Sequence, residues 1–322
     1  MRRRDVLAAG LAAACTIPFR ALGSQYPSKV ITICHGFAVG GNADSIARVL
    51  AAELAQSFGQ PVIVESRPGA GGTIAANHVA RARPDGYTLM LATGGHAVAG
   101  ALYRKLRYDP VSDFQSISTV TTFPFLLVVG ANGLYPTLAS LLHRASASPR
   151  SIAYGSAGIG STHHLAMELL GRKANTELLH VPYRGDAALV TALLANEVPL
   201  IIAPPTAVTQ HVKAGKLRVL ATTGSKRWTP MASVPTVMES GVPGYEVVSW
   251  AGLMAPANSS PAIVDVLQAS VAKALESPTV RATLTEIGGT ATSSSPEQMT
   301  KLLVNDLQKW RAVVSESNIP KQ

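Results

Sequence analysis

Short β-branched runs alternate with longer helical stretches along nearly the whole chain, and no other feature limits the fold as strongly. Val30 to Cys34 is the first apolar run, followed by a glycine-bearing loop from His35 to Ala43. From Asp44 to Phe58 the residues Ile46, Val49, Leu50 and Leu54 recur at helical spacing. Asn42 or Asp44 supplies a start to this helix, and Gly59 with Pro61 supplies its stop. Val62 to Glu65 is the next strand and Pro68 to Gly72 the next loop. A short helix through His78 and Arg81 ends at Pro84-Asp85-Gly86, and Tyr87 to Thr93 makes a third strand. Strands and helices alternating at these lengths imply parallel crossovers, hence an α/β fold with mainly parallel, doubly wound sheets.

A second series begins after Asp113-Phe114. Its strands are predicted at Phe125 to Val129, Ile152 to Ser156, Leu178 to Val181, Pro199 to Ile202 and Val219 to Thr222. Helices start near Thr137, Ser161, Asp186 and Thr206, and Tyr245 to Met254 reads as an extended return toward the first series. Three helical runs close the chain. The last has Ser294 and Glu297 as a capping box, and Leu303, Leu307, Trp310 and Val314 along one buried face.

The N-terminus adds an address. Arg2, Arg3, Arg4, Asp5, Val6 and Leu7 match a twin-arginine start, and the apolar run from Val6 to Ile17 is too short to span a bilayer. Ala21-Leu22-Gly23 puts small residues where an export peptidase cuts, so the leader is read as residues 1–23, removed before Ser24. The competing reading is an uncleaved anchor; Cys15 follows Ala12-Ala13-Ala14, a poor lipoprotein box. The remainder has room for two domains. Because 47% of residues are hydrophobic and only 15% charged, it should form a large core and a soluble body, not a disordered chain. Cys34 is then the sole cysteine, which excludes an internal disulfide and suits a small core residue. The leader holds three units of the formal +9 charge, leaving +6. Those charges are scattered without aromatic interleaving, which argues against nucleic acid and modestly favours an anionic ligand.

Open α/β sheets bind ligands where strand ends feed helix N-termini. Two loops have the right content: Phe37-Ala38-Val39-Gly40-Gly41-Asn42-Ala43-Asp44, and Ser156-Ala157-Gly158-Ile159-Gly160-Ser161-Thr162-His163-His164. Glycines admit close backbone approach, and free N–H groups at a helix start suit a carboxylate; the same glycines also serve ordinary βα turns. Catalytic patterns fail. Neither Ser156 nor Ser161 lies in Gly-x-Ser-x-Gly, His163 occupies the last position of a would-be Gly-x-Gly-x-x-Gly, and no phosphate loop is present. His164 and Glu168, one helical turn apart, are two groups and not a metal site. No cofactor is expected. Arg184 is either a carboxylate partner or a solvated loop residue.

These pieces, in their order, resemble one family. Phe37 to Gly41 followed by Asp44, Arg67-Pro68-Gly69-Ala70-Gly71-Gly72, and Pro84-Asp85-Gly86-Tyr87-Thr88-Leu89 carry the first part. Ala101-Leu102-Tyr103, Tyr108-Asp109-Pro110 and Asp113-Phe114 follow. In the second series come Tyr154 to Ser156, Gly160-Ser161-Thr162, His164-Leu165-Ala166 and His180-Val181-Pro182-Tyr183. Lys213 to Arg218 and Val234-Pro235-Thr236 complete the match. The chain resembles the Bug-type substrate-binding proteins of tripartite tricarboxylate transporters. That resemblance implies a two-lobed periplasmic receptor that works as a monomer and closes on a small organic acid for delivery to membrane transporter subunits. It implies one lobe from residues 24–123 and 250–322 and another from 124–249, with hinges near Phe123-Pro124 and Ser249-Trp250. The expected ligand contacts are Phe37, Ala38, Gly40, Gly41, Asn42, Asp44 and Thr93 in the first lobe. From the second come Ser156, Ala157, Gly160, Ser161, Thr162, His164 and Arg184.

Departures from the family pattern shape the expectations. Prolines are usual where Gly36 and Val39 stand, which predicts a less rigid first loop. Asparagine is common at Ile159, serine at His163 and glycine at Asp186. Ala203 replaces an Asp or Asn, which favours a plain carboxylic acid over an amino-group ligand. Two other readings stay open: an exported hydrolase using Ser161 or Ser156 with His164, and a ligand sensor serving a membrane receptor.

Overall fold

Alternation along the first strand sets the geometry of everything around it. In β1 (Ile31–His35), Ile31, Ile33 and His35 share one face, Thr32 and Cys34 the other. The computed structural model describes residues 26–317 and 319–322, so the predicted leader with its arginines and Cys15 lies outside the described residues. β1 pairs in parallel with β2 (Val62–Ser66) on one side and β3 (Thr88–Thr93) on the other. Between them run α1 (Asn42–Phe58) and α2 (Thr73–Ala80). α1 stops where expected, at Gly59 with φ 61°, whose N–H closes on the Ala55 carbonyl.

Two elements between the first and second series escaped the sequence pattern. α3 (Gly94–Leu102) follows β3 directly, and β4 (Phe114–Pro124) is an eleven-residue strand one place in from the sheet edge. β4 buries Ser116, Ser118, Thr119 and Thr121, a polar set that hides its strand character. Three of those hydroxyls are satisfied from the C-terminal segment. Thr119 Oγ1 donates to the Thr292 carbonyl (2.6 Å), Thr121 Oγ1 donates to the Thr290 carbonyl (3.0 Å), and Ser118 Oγ accepts from the Ser294 N–H (3.0 Å).

The second series supplies β5 (Leu126–Gly130), α4 (Leu138–Ala147), β6 (Ala153–Ser156), α5 (Thr162–Lys173) and β7 (Leu179–Pro182). It continues with α6 (Asp186–Leu194), β8 (Leu200–Ala203), α7 (Pro205–Lys213) and β9 (Leu217–Thr222). The chain then returns through β10 (Val248–Pro256) and ends with α8 (Pro261–Ala274), α9 (Pro278–Glu286), β11 (Thr290–Ala291) and α10 (Pro296–Glu316). The strand orders are β11-β4-β10-β3-β1-β2 and β7-β6-β8-β5-β9. Parallel pairing is confined to β2-β1-β3 and β7-β6-β8. β10 and β5 run against their neighbours, so each sheet is mixed where the sequence reading expects mainly parallel strands. In the first sheet the cause is the long return strand, which enters from the other end.

The closing helix corrects one cap. Its box is Ser295 with Gln298, not Ser294 with Glu297: Ser295 Oγ accepts from the Gln298 N–H (3.2 Å) and Gln298 Oε1 from the Ser295 N–H (2.9 Å). Ser294 is already committed to β4, its hydroxyl accepting from the Thr119 N–H (3.0 Å). Leu303, Leu307, Trp310 and Val314 are buried along one face, as their spacing predicts.

The two sheets meet where β4 passes into β5 and the chain returns into β10. Val248 is paired with Pro124 and Ser249 with Phe123, so both crossings lie side by side. α5 packs on α3 and α10, and Arg172 pairs with Glu316. Among the described residues no helix is long and apolar enough to cross a membrane. Cys34 is fully buried, as expected, and burial with Glu65 beside it pushes the thiol up to about 12.

Candidate functional site

The first loop is organised by a carboxylate that the sequence reading treats as a ligand contact. Asp44 is buried in the first turn of α1. Its Oδ2 accepts from Arg48 Nε (2.8 Å) and from the Gly40 N–H (2.9 Å), and its Oδ1 lies 3.1 Å from His35 Nε2. The Arg48 guanidinium, with these other partners, holds the carboxyl down to about 2. Burial lowers His35 from the ordinary imidazole range. Asp44 is thus a strut, and the charge it brings to the loop is neutralised by Arg48.

Above that strut the backbone is open. Ala38, Val39 and Gly40 are exposed, and Gly40 adopts φ 78°. Gly41 offers no side-chain cap, so the N–H groups of Asn42 and its neighbours at the α1 start have no side-chain acceptor. Phe37 is tied at its carbonyl by the Ser66 hydroxyl (2.6 Å). Gly36 is not the loose point expected from its missing proline. It is buried, and a Cβ there would lie 2.3 Å from the Gly72 Cα, so the two loops press backbone on backbone. Behind this contact lies a cavity of about 10 Å³, bounded in part by Gly72, Thr93, His96 and Tyr108, with room for about one water. His96 Nδ1 and the Tyr108 hydroxyl are buried there without a hydrogen-bond partner. Thr93 caps α3, its Oγ1 accepting from the Gly95 N–H (3.2 Å).

The second loop is gripped by two stacked imidazoles. His164 and His180 lie 4.1 Å apart at 10°, and Tyr154 continues the stack 5.0 Å beyond His180. His180 Nε2 is 2.6 Å from Ser156 Oγ, while His164 Nδ1 accepts from the Gly160 N–H (3.3 Å). Glu168 anchors the stack by accepting from the Tyr154 hydroxyl (2.8 Å), with His164 Nε2 3.8 Å from the same oxygen. Burial lowers both imidazoles to about 4, and for His180 the neighbouring His164 adds to it. Both are neutral at pH 7. Ser161 caps α5: its Oγ accepts from the His164 N–H (3.2 Å) and donates to the Gly158 carbonyl (2.7 Å). Thr162 is buried, Ala157 half-buried, and Ile159 exposed at the tip.

Some expected residues come together and others do not. Phe37 Cζ lies 3.4 Å from where a Cβ on Gly95 would sit, and Gly160 presses on Leu102, so the two loops touch the opposite ends of α3. That nine-residue helix spans about 13 Å. Across the connection, Gly288 sits against Pro205 at the start of α7. Arg184 is exposed and forms no ion pair or side-chain hydrogen bond among the described residues. Ala203 is fully buried at the end of β8. Two departures from the family pattern are in contact: His163 Nε2 lies 3.2 Å from Asp186 Oδ1, linking the starts of α5 and α6.

Sequence reasoning missed His35, Arg48 and His180. His180 belongs to the His180-Val181-Pro182-Tyr183 run, but only the fold puts it beside Ser156, 24 positions away. The nucleophile reading fares poorly for the same reason. Ser156 meets His180 and not His164, its hydroxyl is fully buried, and no side chain among the described residues hydrogen-bonds the second nitrogen of His180. Ser161 already serves as a helix cap.

Residues 46–319 match the profile of the Tripartite tricarboxylate transporter family receptor. A UPF0065 protein from the tcbD–tcbE intergenic region of Pseudomonas sp. (strain P51) is 35% identical over 98% of this chain and 94% of its own. Among solved structures, R. palustris Rpa4515 with adipate superposes at a TM-score of 0.86 and 35% identity, covering 92% of this chain and 99% of that one. MatC (Rpa3494) from Rhodopseudomonas palustris with bound malate gives 0.82 at 32% identity, over 90% of this chain and 100% of that one.

Proposed function

The chain belongs to the tripartite tricarboxylate transporter receptor family, and from that premise we propose that it binds a small organic acid between its two glycine-lined loops. The observation that carries this reading is the start of α1. Exposed backbone at Ala38 to Gly40 leads into helical N–H groups with no side-chain acceptor, and the nearby Asp44 carboxylate is neutralised by Arg48. Such a helix start favours an anion. Ligand carboxylate oxygens are received by the Asn42 and Ala43 N–H groups at the α1 start, against the Gly40–Gly41 backbone that Asp44 and the Ala38 carbonyl hold in place. Thr162 and the Ala157 and Ile159 N–H groups complete the clamp, in part through ordered water, while Ser156, Ser161 and His164 hold the loop between them in shape.

The relatives solved with adipate and with malate support a carboxylic ligand. Exposed Val39 and Ile159 at the loop tips, with Ala203 offering no acceptor, favour an acid with an apolar body and no amino group. Residues 24–123 with 250–322, and 124–249, act as the closing lobes. The leader directs the chain to the periplasm and is cut near residue 23. There the protein works as a monomer, without catalysis, and presents its ligand to the membrane transporter subunits.

A thermal-shift and calorimetric screen of linear mono- and dicarboxylates against matched amino acids tests the reading. A cognate acid at 100 times its Kd should add about 2.7 kcal/mol of stability. Stabilisation by amino acids alone, or by no acid in the set, overturns it.

A further inference from the structure

On the α2 side of the first sheet, away from the His35–Asp44 strut, three metal-ligating side chains converge. Cys34 and Glu65 are directly paired in the parallel β1–β2 ladder, so both project from the same face, and their Sγ and Oε2 lie 3.6 Å apart. α2 packs over this face and contributes His78 from its last turn. The three ligand atoms all lie within 4.8 Å of one another. The His78 ring has no hydrogen-bond partner among the described residues.

We propose that Cys34, Glu65 and His78 form a binding site for one divalent cation of the zinc type, with water in the fourth position. The geometry argues for it first. A tetrahedral zinc with its usual bonds to sulfur and oxygen separates those two atoms by about 3.5 Å, close to the Cys34–Glu65 spacing. Closing the imidazole onto the same centre takes a side-chain adjustment on the order of 1 Å. Donor chemistry selects the ion: thiolate with imidazole suits zinc and cobalt and discriminates against magnesium and calcium. Cys34 is fully buried, whereas the Glu65 side chain is 40% exposed, so a cation enters from the Glu65 rim. Arg67 NH2 holds Glu65 Oε1 at 2.8 Å, which leaves Oε2 turned to the thiol. The same guanidinium opposes a cation and sets how tightly one is held. Bound metal ties β1, β2 and α2 together just before the first ligand loop. The proposal is independent of the organic-acid reading.

The test uses the reduced full chain with Zn²⁺ or Co²⁺ alone. Wild type should take up one zinc per chain, and its cobalt adduct should show a sulfur-to-cobalt charge-transfer band. Cys34→Ala should abolish the band and weaken zinc binding more than 100-fold. His78→Ala and Glu65→Gln should each weaken it at least tenfold. Glu65→Gln changes no volume at a half-exposed position, so it guards against loss of fold in the cysteine variant. Arg67→Gln should tighten zinc several-fold, a gain that a purely structural cluster has no reason to show. A cobalt adduct without the thiolate band, or zinc binding unchanged in Cys34→Ala or Glu65→Gln, overturns the site.

Discussion

Asp44 shows how one carboxylate can fix the shape of a loop. Three groups converge on its carboxylate from β1, the loop and α1, and two of them, His35 and the Gly40 N–H, have no other side-chain acceptor. Asp44→Ala leaves the buried His35 ring unpaired and the Gly40 N–H without its acceptor, and should cost about 1–3 kcal/mol in urea unfolding. Calorimetric affinity for the cognate acid should fall at least tenfold, because Gly40 and the α1 start lose their shape. Asp44→Asn keeps the volume and one acceptor oxygen and should fall between the two. Affinity unchanged in the alanine variant would detach the loop from the site. The same carboxyl gives an acid limit. Its folded value, about 2, lies below the unfolded one, so its stabilisation is complete above about pH 5 and vanishes as pH falls toward 2.

At the scale of elements, the Tyr154–His180–His164 stack joins β6, β7 and α5 into one polar support for the second loop. Both imidazoles titrate near 4 when folded and near 6.5 when unfolded, so the unfolded chain binds more protons between those values. Stability should therefore rise as pH climbs from 4 to 6.5 and level off above. Each imidazole contributes on the order of 2 kcal/mol of that rise, and buried His96, also lowered to about 4, adds to it. His180→Gln should flatten part of the slope while leaving the His96 share. Urea unfolding across this range checks it, and an unchanged slope would mean that the stack is not what resists protonation. The stack also marks the limit of sequence reading. Helices that begin at Thr137, Ser161 and Asp186 were legible because local chemistry sets them: a hydroxyl cap for the first two, an acid in the first turn for the third. β4 was not, since its buried Ser and Thr make sense only beside a segment more than 160 positions away. The two glycine loops were found by composition, but their supports were invisible. His180 reaches Ser156 through strand pairing, and Asp44 reads as a ligand contact until His35 and Arg48 surround it.

For the whole molecule, motion between the sheets has to pass through the two crossings that lie together at Pro124 and Val248. Thr223, fully buried at the end of β9, is bonded to both. Its Oγ1 accepts from the Phe125 N–H (2.8 Å) and donates to the Val247 carbonyl (2.6 Å). Its own N–H and carbonyl pair with the Phe125 carbonyl (3.0 Å) and the Val247 N–H (2.8 Å). One side chain therefore couples the outgoing and returning strands at the pivot through which the two lobes would close. Thr223→Val preserves shape and removes only the hydroxyl, leaving a buried donor and a buried acceptor less satisfied, at a cost of about 1–3 kcal/mol. If Thr223 sets the hinge, amide exchange at Phe125 should quicken while amides in β1 and β6 stay protected. Small-angle scattering of the unliganded variant should report a broader distribution of radii, and association with the cognate acid should slow because the closed pairing is less populated. Destabilisation spread evenly over all amides, with scattering unchanged, would make Thr223 an ordinary core residue and place the pivot elsewhere.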